Sequence, residues 1–156
     1  KRAVMEAAQS TFISSTFWTE RIGPTAALKT LEVMERERSW EYITRTGEYI
    51  AAKWQALADR HALPIEISGL PAMIGFTLPL PDMLKYKTLI TQEMLKKGYL
   101  AGTSVYVCTE HSLSMIDQYI AELDVVSAQI KSCQTGKAID SLLDGPVCHA
   151  GFKRLN

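Results

Sequence analysis

Residues 64–79 read PIEISGLPAMIGFTLP, and this stretch decides the fold. Ile65 and Ile67 alternate with polar neighbours, Gly69-Leu70-Pro71 breaks the pattern, and Ile74, Phe76 and Leu78 resume it at period two. Side chains on a strand point alternately to its two faces, so such alternation marks a strand buried on one side. Two such runs around a Gly/Pro break predict a β-hairpin with its turn at 69–71. Pro79 and Pro81 stop the second strand, because proline has no N–H to give to a ladder.

Upstream of the hairpin, Ile43, Gly47, Ile50, Trp54 and Leu57 recur at helical spacing, with Ser39 as N-cap and Pro64 ending the region. Glycine inside a helix costs about 1 kcal/mol relative to alanine. Gly47 therefore implies either that another backbone passes close or that the helix hinges there, the first being the favoured reading. Downstream, Asp82 is the expected cap of a helix that carries Tyr86, Leu89, Ile90 and Met94 and ends at Gly98. Residues 103–108 predict a third strand. Ser112 or Ser114 then starts a helix burying Ile116, Ile120, Leu123, Ser127 and Ile130; Ser114 and Asp117 have capping-box spacing.

Residues 3–9 predict a short helix, and residues 10–19 are rich in hydroxyls and aromatics without helical period. Pro24 suits the first turn of a helix with Ala27, Leu31 and Met34 on one face, and that phase breaks at residues 36–39. Residues 133–156 hold a short amphipathic piece (Ala138, Ile139, Leu142, Leu143) and an irregular tail from Gly145. The class expected is α+β, with long helices leading into a small, mostly antiparallel three-stranded sheet covered by helices.

The 156 residues suffice for one domain with its own core, and 47% hydrophobic with 22% charged residues is a globular composition. Lys plus Arg and Asp plus Glu number 17 each, which gives no general pull toward nucleic acid or anionic membrane. No apolar run reaches the roughly 18 residues of a membrane span. Three cysteines, an odd number at low density, suit a reducing compartment. The opening Lys1-Arg2 runs into an apolar stretch interrupted by Glu6, unlike a secretory signal. The expected location is cytoplasmic.

Motifs for common chemistries are missing. Thr135-Gly136-Lys137 is only a fragment of a P-loop, and no dinucleotide fingerprint or nucleophile elbow occurs. Cys133 and Cys148-His149 match no common zinc spacing, so no metal site is expected. Nothing brings a cysteine nucleophile to His111 or His149; His111 sits beside a predicted helix start, where capping or packing explains it. The hydroxyl-rich loop before Pro24 is the one feature suited to a ligand, since hydroxyls and free amides at a helix N-terminus hold phosphate well.

Three stretches in fixed order carry a family resemblance: FISSTFWTERIGPTAALKTLEVM (12–34), the passage from Met94 through Gly98 and Leu100 to Ala101, and VCTEHSLSMID (107–117). Together they resemble the C-terminal part of class III pyridoxal-phosphate-dependent aminotransferases, close to the glutamate-1-semialdehyde aminomutase branch. The resemblance implies residues 1–38 as a remnant of the large cofactor domain and the start of an inter-domain helix, residues 39–132 as the C-terminal small domain, and residues 133–156 as a tail. It places the Schiff-base lysine and the aspartate partnering the ring nitrogen upstream of Lys1, so this chain carries no catalytic residue and is expected to be inactive and cofactor-free alone.

In that family, a threonine before the proline-started helix reaches the cofactor phosphate of the neighbouring subunit. Thr19 keeps the usual separation from Pro24, while Thr16 better matches the local pattern. Both remain candidates. Thr103 stands on the substrate side, where the semialdehyde mutases carry an acidic residue. That departure favours an aminotransferase of another amino or keto compound, a sugar-derived one included. A homodimer is expected, because the first helix has lost its large-domain neighbours. The alternative is a non-enzymatic α+β module that dimerises or binds a ligand.

Overall fold

The structure is a computed structural model and describes residues 1–11, 20–136 and 138–150. It divides into two compact units, Lys1–Ser39 and Trp40–Asn156.

The first unit holds helices α1 (Arg2–Ala8) and α2 (Ile22–Glu37). Pro24 lies in the first turn of α2, as its fixed φ favours. Arg38 ends the helix in the left-handed conformation, φ 49°. Neither helix has a buried residue, and Ile22, Leu28 and Leu31 are exposed.

The second unit is built on helix α3 (Ser39–His61), which begins one residue before it. Then follow β1 (Glu66–Leu70), β2 (Met73–Thr77), α4 (Met83–Lys96), β3 (Ser104–Tyr106), α5 (Leu113–Gln134) and a 3-10 turn at Ile139–Leu142. The sheet is antiparallel throughout, in the order β1-β2-β3. Ile67 faces Phe76 and Ile74 faces Val105 in register. These residues form the apolar face of the sheet. The N–H of Phe76 to Thr103 O and of Val107 to Ala72 O, both 2.9 Å, extend the β2–β3 pairing beyond the strands.

That face meets Ile50, Trp54, Leu57 and Ala58 of α3, Leu89, Ile90 and Met94 of α4, and Ile116, Leu123, Val126 and Ile130 of α5 in one core. Trp54 is at its centre, 1% exposed, edge-on to Phe76 with ring centroids 4.7 Å apart. The α+β expectation and the hairpin therefore hold.

The local signals differ from expectation at four points. The hairpin turn is the pair Pro71-Ala72, with Gly69 and Leu70 inside β1; Gly69 accepts a φ of 101° there, which glycine allows without a Cβ penalty. Ser39 is the first residue of α3 rather than its cap, and its buried hydroxyl has no hydrogen-bond partner among the described residues. Asp82 does occupy the cap position of α4, but with φ 61° and no side-chain bond to the helix; its carboxylate lies 3.8 Å from Lys85 instead. The start of α5 agrees with one of its two expected caps, since Ser112 accepts from the Met115 N–H at 3.2 Å. Tyr119 and Val126 join the buried face of α5, while Ile120 is half-buried.

The end of α4 follows the glycine signal closely. Gly98 at φ 85° lets Tyr99 N–H reach Met94 O at 3.0 Å and Gly98 N–H reach Leu95 O at 2.9 Å. This is the paired closure that a left-handed residue after a helix permits. It turns the chain from α4 into β3 and so sets where Thr103 stands.

Candidate functional site

Thr103 is held by backbone at the entry to β3, its carbonyl accepting from Phe76 N–H. Gly75, beside it on β2, keeps that approach open, since a Cβ there would lie 3.2 Å from Thr103 O. Thr103 lines a cleft of about 240 Å³ with Thr77, Met83, Lys87 and His149 over an apolar floor that includes Leu78 and Ile90. Thr77, at the end of β2, points its hydroxyl toward Glu66 across β1 at 3.5 Å. His149 reaches the cleft because the tail is tied to α4: Cys148 N–H donates to Thr88 Oγ1 at 2.9 Å.

A second, larger cleft of about 520 Å³ lies beside the other end of β3, lined by Tyr99, Leu100, Tyr106, His111, Met115 and Tyr119 among others. It is largely apolar, and Leu100 at its rim is 97% exposed. His111 is pinned there by two backbone contacts. Its Nδ1 accepts from Cys108 N–H at 3.2 Å, and its carbonyl accepts from the Tyr42 hydroxyl at 2.9 Å. This is the structural role the sequence suggested for it.

The wall behind this cleft is braced by polar ties between α3 and α5. Tyr119 takes the Trp54 indole N–H at 3.1 Å, and burial pushes its phenol pKa up to about 12. Asp117 accepts from Tyr49 at 2.7 Å and pairs with Lys53 at 2.9 Å; the hydrogen bonds from Lys53 and Tyr49 hold its carboxyl below the usual carboxylate range. Asp124 sits 2.7 Å from His61 Nε2 and 3.0 Å from Arg60, and His61 is the first cause of its lowered pKa. These carboxylates are structural ties and line neither cleft.

In the first unit, the start of α2 is occupied by its own chain. The Gly23 N–H donates to Glu20 Oε1 at 2.7 Å, and residue 24 is a proline with no N–H. The anion affinity of this helix end is thus already used by a carboxylate. Thr16 and Thr19, the two candidates for a phosphate contact, lie outside the described residues. Among the described residues, no group of three or more His, Cys, Asp and Glu could hold a metal ion, and no helix is long and apolar enough to cross a membrane.

This arrangement of hairpin, helix, strand and helix has known counterparts. The chain is 31% identical over 113 residues to 3-aminobutyryl-CoA aminotransferase from Cloacimonas acidaminovorans (strain Evry), an alignment that spans 67% of this chain and 27% of the relative. The chain belongs to the class III aminotransferase family. Its fold agrees with the FumI protein of Sphingopyxis sp. MTA144, solved in its PLP internal aldimine form. That match has a TM-score of 0.74 at 17% identity and covers 89% of this chain and 34% of FumI. No protein-family model matches the chain. The chain spans about a quarter of the curated relative and a third of FumI.

Lys87 was not singled out by the sequence. It comes into the cleft beside Thr103 only through the packing of α4 on the β2–β3 pair, and no spacing rule links the two. His149 drew attention in the sequence as an imagined metal ligand or partner of a cysteine nucleophile, and the structure gives it this different setting.

Proposed function

We propose that this chain supplies the inter-domain helix and small domain of a pyridoxal-phosphate-dependent aminotransferase, which moves an amino group between an amino donor and a keto or aldehyde acceptor. The likeness over 113 residues to a relative named for that reaction carries the reading. Bound pyridoxal phosphate serves in such enzymes as the electron sink for the carbon that loses or gains the amine. The described residues do not make up a cofactor site by themselves: the start of α2 is taken by Glu20, and neither cleft combines a lysine with an aspartate. The lysine and aspartate of the cofactor site would come from sequence upstream of Lys1, and the chain alone would be inactive. Thr16 or Thr19 would contribute a hydroxyl to the cofactor phosphate, across a homodimer interface.

On the substrate side, Thr103 would face the acceptor. A neutral hydroxyl there, in place of the acidic residue of the semialdehyde mutases, supports transfer between two different molecules over the internal exchange of an aminomutase. The enzyme would stand near the glutamate-1-semialdehyde branch, work in the cytoplasm and take an amino or keto compound whose amine is not on a standard α-carbon. The relative named for 3-aminobutyryl-CoA, a β-amino thioester, agrees with such a substrate.

The test is to express the coding sequence that includes the region upstream of Lys1, supply pyridoxal phosphate, and assay amine transfer with a panel of donors. We expect cofactor uptake and transfer by the longer protein and neither by residues 1–156. A longer protein that takes up no cofactor would overturn the aminotransferase reading and favour a binding module; transfer by the 156-residue chain would overturn its inactivity.

A further inference from the structure

We propose that the cleft between β2, the start of β3 and the first turns of α4 is an oxyanion subsite, which holds a carboxylate or phosphate at the far end of the substrate. Only the word substrate rests on the aminotransferase reading; anion binding stands on the cleft itself.

Three observations carry it. Among the described residues, the polar groups lining the cleft are the Lys87 ammonium, the Thr77, Tyr86 and Thr103 hydroxyls and the His149 ring, and no carboxylate lines it. All five can donate a hydrogen bond to an anionic oxygen. Second, Lys87 forms no ion pair among the described residues, whereas the other lysines of this helix and its cap are each neutralised. Lys85 lies 2.8 Å from Asp140, Lys96 2.8 Å from Asp144 and Lys97 3.2 Å from Glu122. The cleft thus faces the one cation of α4 that has no ion partner among the described residues. Third, the floor is apolar (Phe76, Leu78, Ile90), which weakens screening from below and strengthens a charge-assisted bond above it.

Size decides how much of a ligand fits. Sites that enclose a whole small molecule span roughly 300–1,000 Å³. At about 240 Å³ this cleft suits one anionic end group rather than a complete substrate. The Thr77 hydroxyl is only loosely engaged with Glu66, at the 3.5 Å limit of a hydrogen bond, and can turn to a ligand. Thr103 lines the cleft with its backbone already fixed by the bond from Phe76 N–H to its carbonyl. The substrate class implied is an amino or keto compound with a carboxylate or phosphate remote from the reacting carbon.

The 156-residue chain would be titrated with inorganic phosphate and, separately, with acetate, following backbone amide shifts by NMR. We expect saturable shifts at Thr77, Lys87 and Thr103. Loss of a charged hydrogen bond is worth about tenfold in affinity, so Lys87→Met should weaken binding by about that factor, and added salt should weaken it further. Thr103→Val, which keeps shape and removes the hydroxyl, should weaken it by a smaller factor. Lys29→Met on α2, which removes a lysine paired with Glu32 outside the cleft, should leave it unchanged. The better anion of the two identifies the end group. Absence of saturable binding by either anion, or equal losses in Lys87→Met and Lys29→Met, would overturn the proposal. Neither cofactor nor turnover enters this measurement, so its failure is separate from failure of amine transfer in the longer protein.

Discussion

Tyr119 shows how one side chain links packing to pH. Its hydroxyl accepts the Trp54 N–H inside the core, and burial holds its pKa near 12 against an ordinary value of 10.0. The folded state therefore keeps a proton that the unfolded chain gives up above pH 10. Stability from this group is fully present below pH 10 and falls as pH rises toward 12, by about 2–3 kcal/mol over that window. Urea melts at pH 9, 10, 11 and 12 should show midpoints falling across the last three. Tyr119→Phe should lose about 1–3 kcal/mol at neutral pH, because a buried indole N–H is left unpaired, yet fall less steeply above pH 10. Some slope remains, since burial also raises Tyr86. An unchanged slope in the variant would remove Tyr119 as its source.

Among elements, the crossing of α3 over the hairpin is decided by Gly47. An added Cβ would run into the Pro71 carbonyl oxygen and sit 2.6 Å from its carbon, with rigid backbone on both sides. Glycine to alanine in a helix ordinarily stabilises by up to about 1 kcal/mol. Here the sign should reverse. Gly47→Ala should cost about 1–3 kcal/mol as an overpacked contact, seen as a drop of several degrees in melting temperature; a gain would mean that the hairpin can move aside. This close approach was legible in the sequence, because a helix bears a costly glycine only for a reason. The hairpin was legible from its alternation too, but not its turn: Gly69 looked like the turn glycine and instead serves a positive φ within β1. Ser39 and Asp82 were misjudged for a related cause. A capping residue type says that a bond can form, while backbone angles and competing partners decide whether it does; Asp82 has a positive φ and Lys85 nearby.

At the scale of the molecule, the two units differ in what holds them. The first has two helices with no buried residue, and the second has a core in which Leu89 and Met94 are fully buried. Amide hydrogen exchange should divide accordingly, with α1 and α2 exchanging at rates near those of free peptide and the centres of α3, α4 and α5 protected close to the global stability. Equal protection of α2 would mean that its apolar face is covered in solution, as a dimer would do. The candidate site was only half legible. Family likeness pointed to Thr103 through local sequence order. Lys87 and His149 reach the same cleft by tertiary packing, which leaves no periodic trace along the chain.

The burial of Trp54 gives the second unit an optical reporter. Its indole is enclosed, edge-on to an aromatic ring and hydrogen-bonded through its nitrogen, whereas Trp40 is 47% exposed. With Trp18 and Trp40 changed to phenylalanine, the remaining emission comes from Trp54 alone. It should be blue-shifted and resistant to acrylamide quenching while the core is intact, and both properties should vanish together on unfolding. A fluorimeter then follows this core without any label.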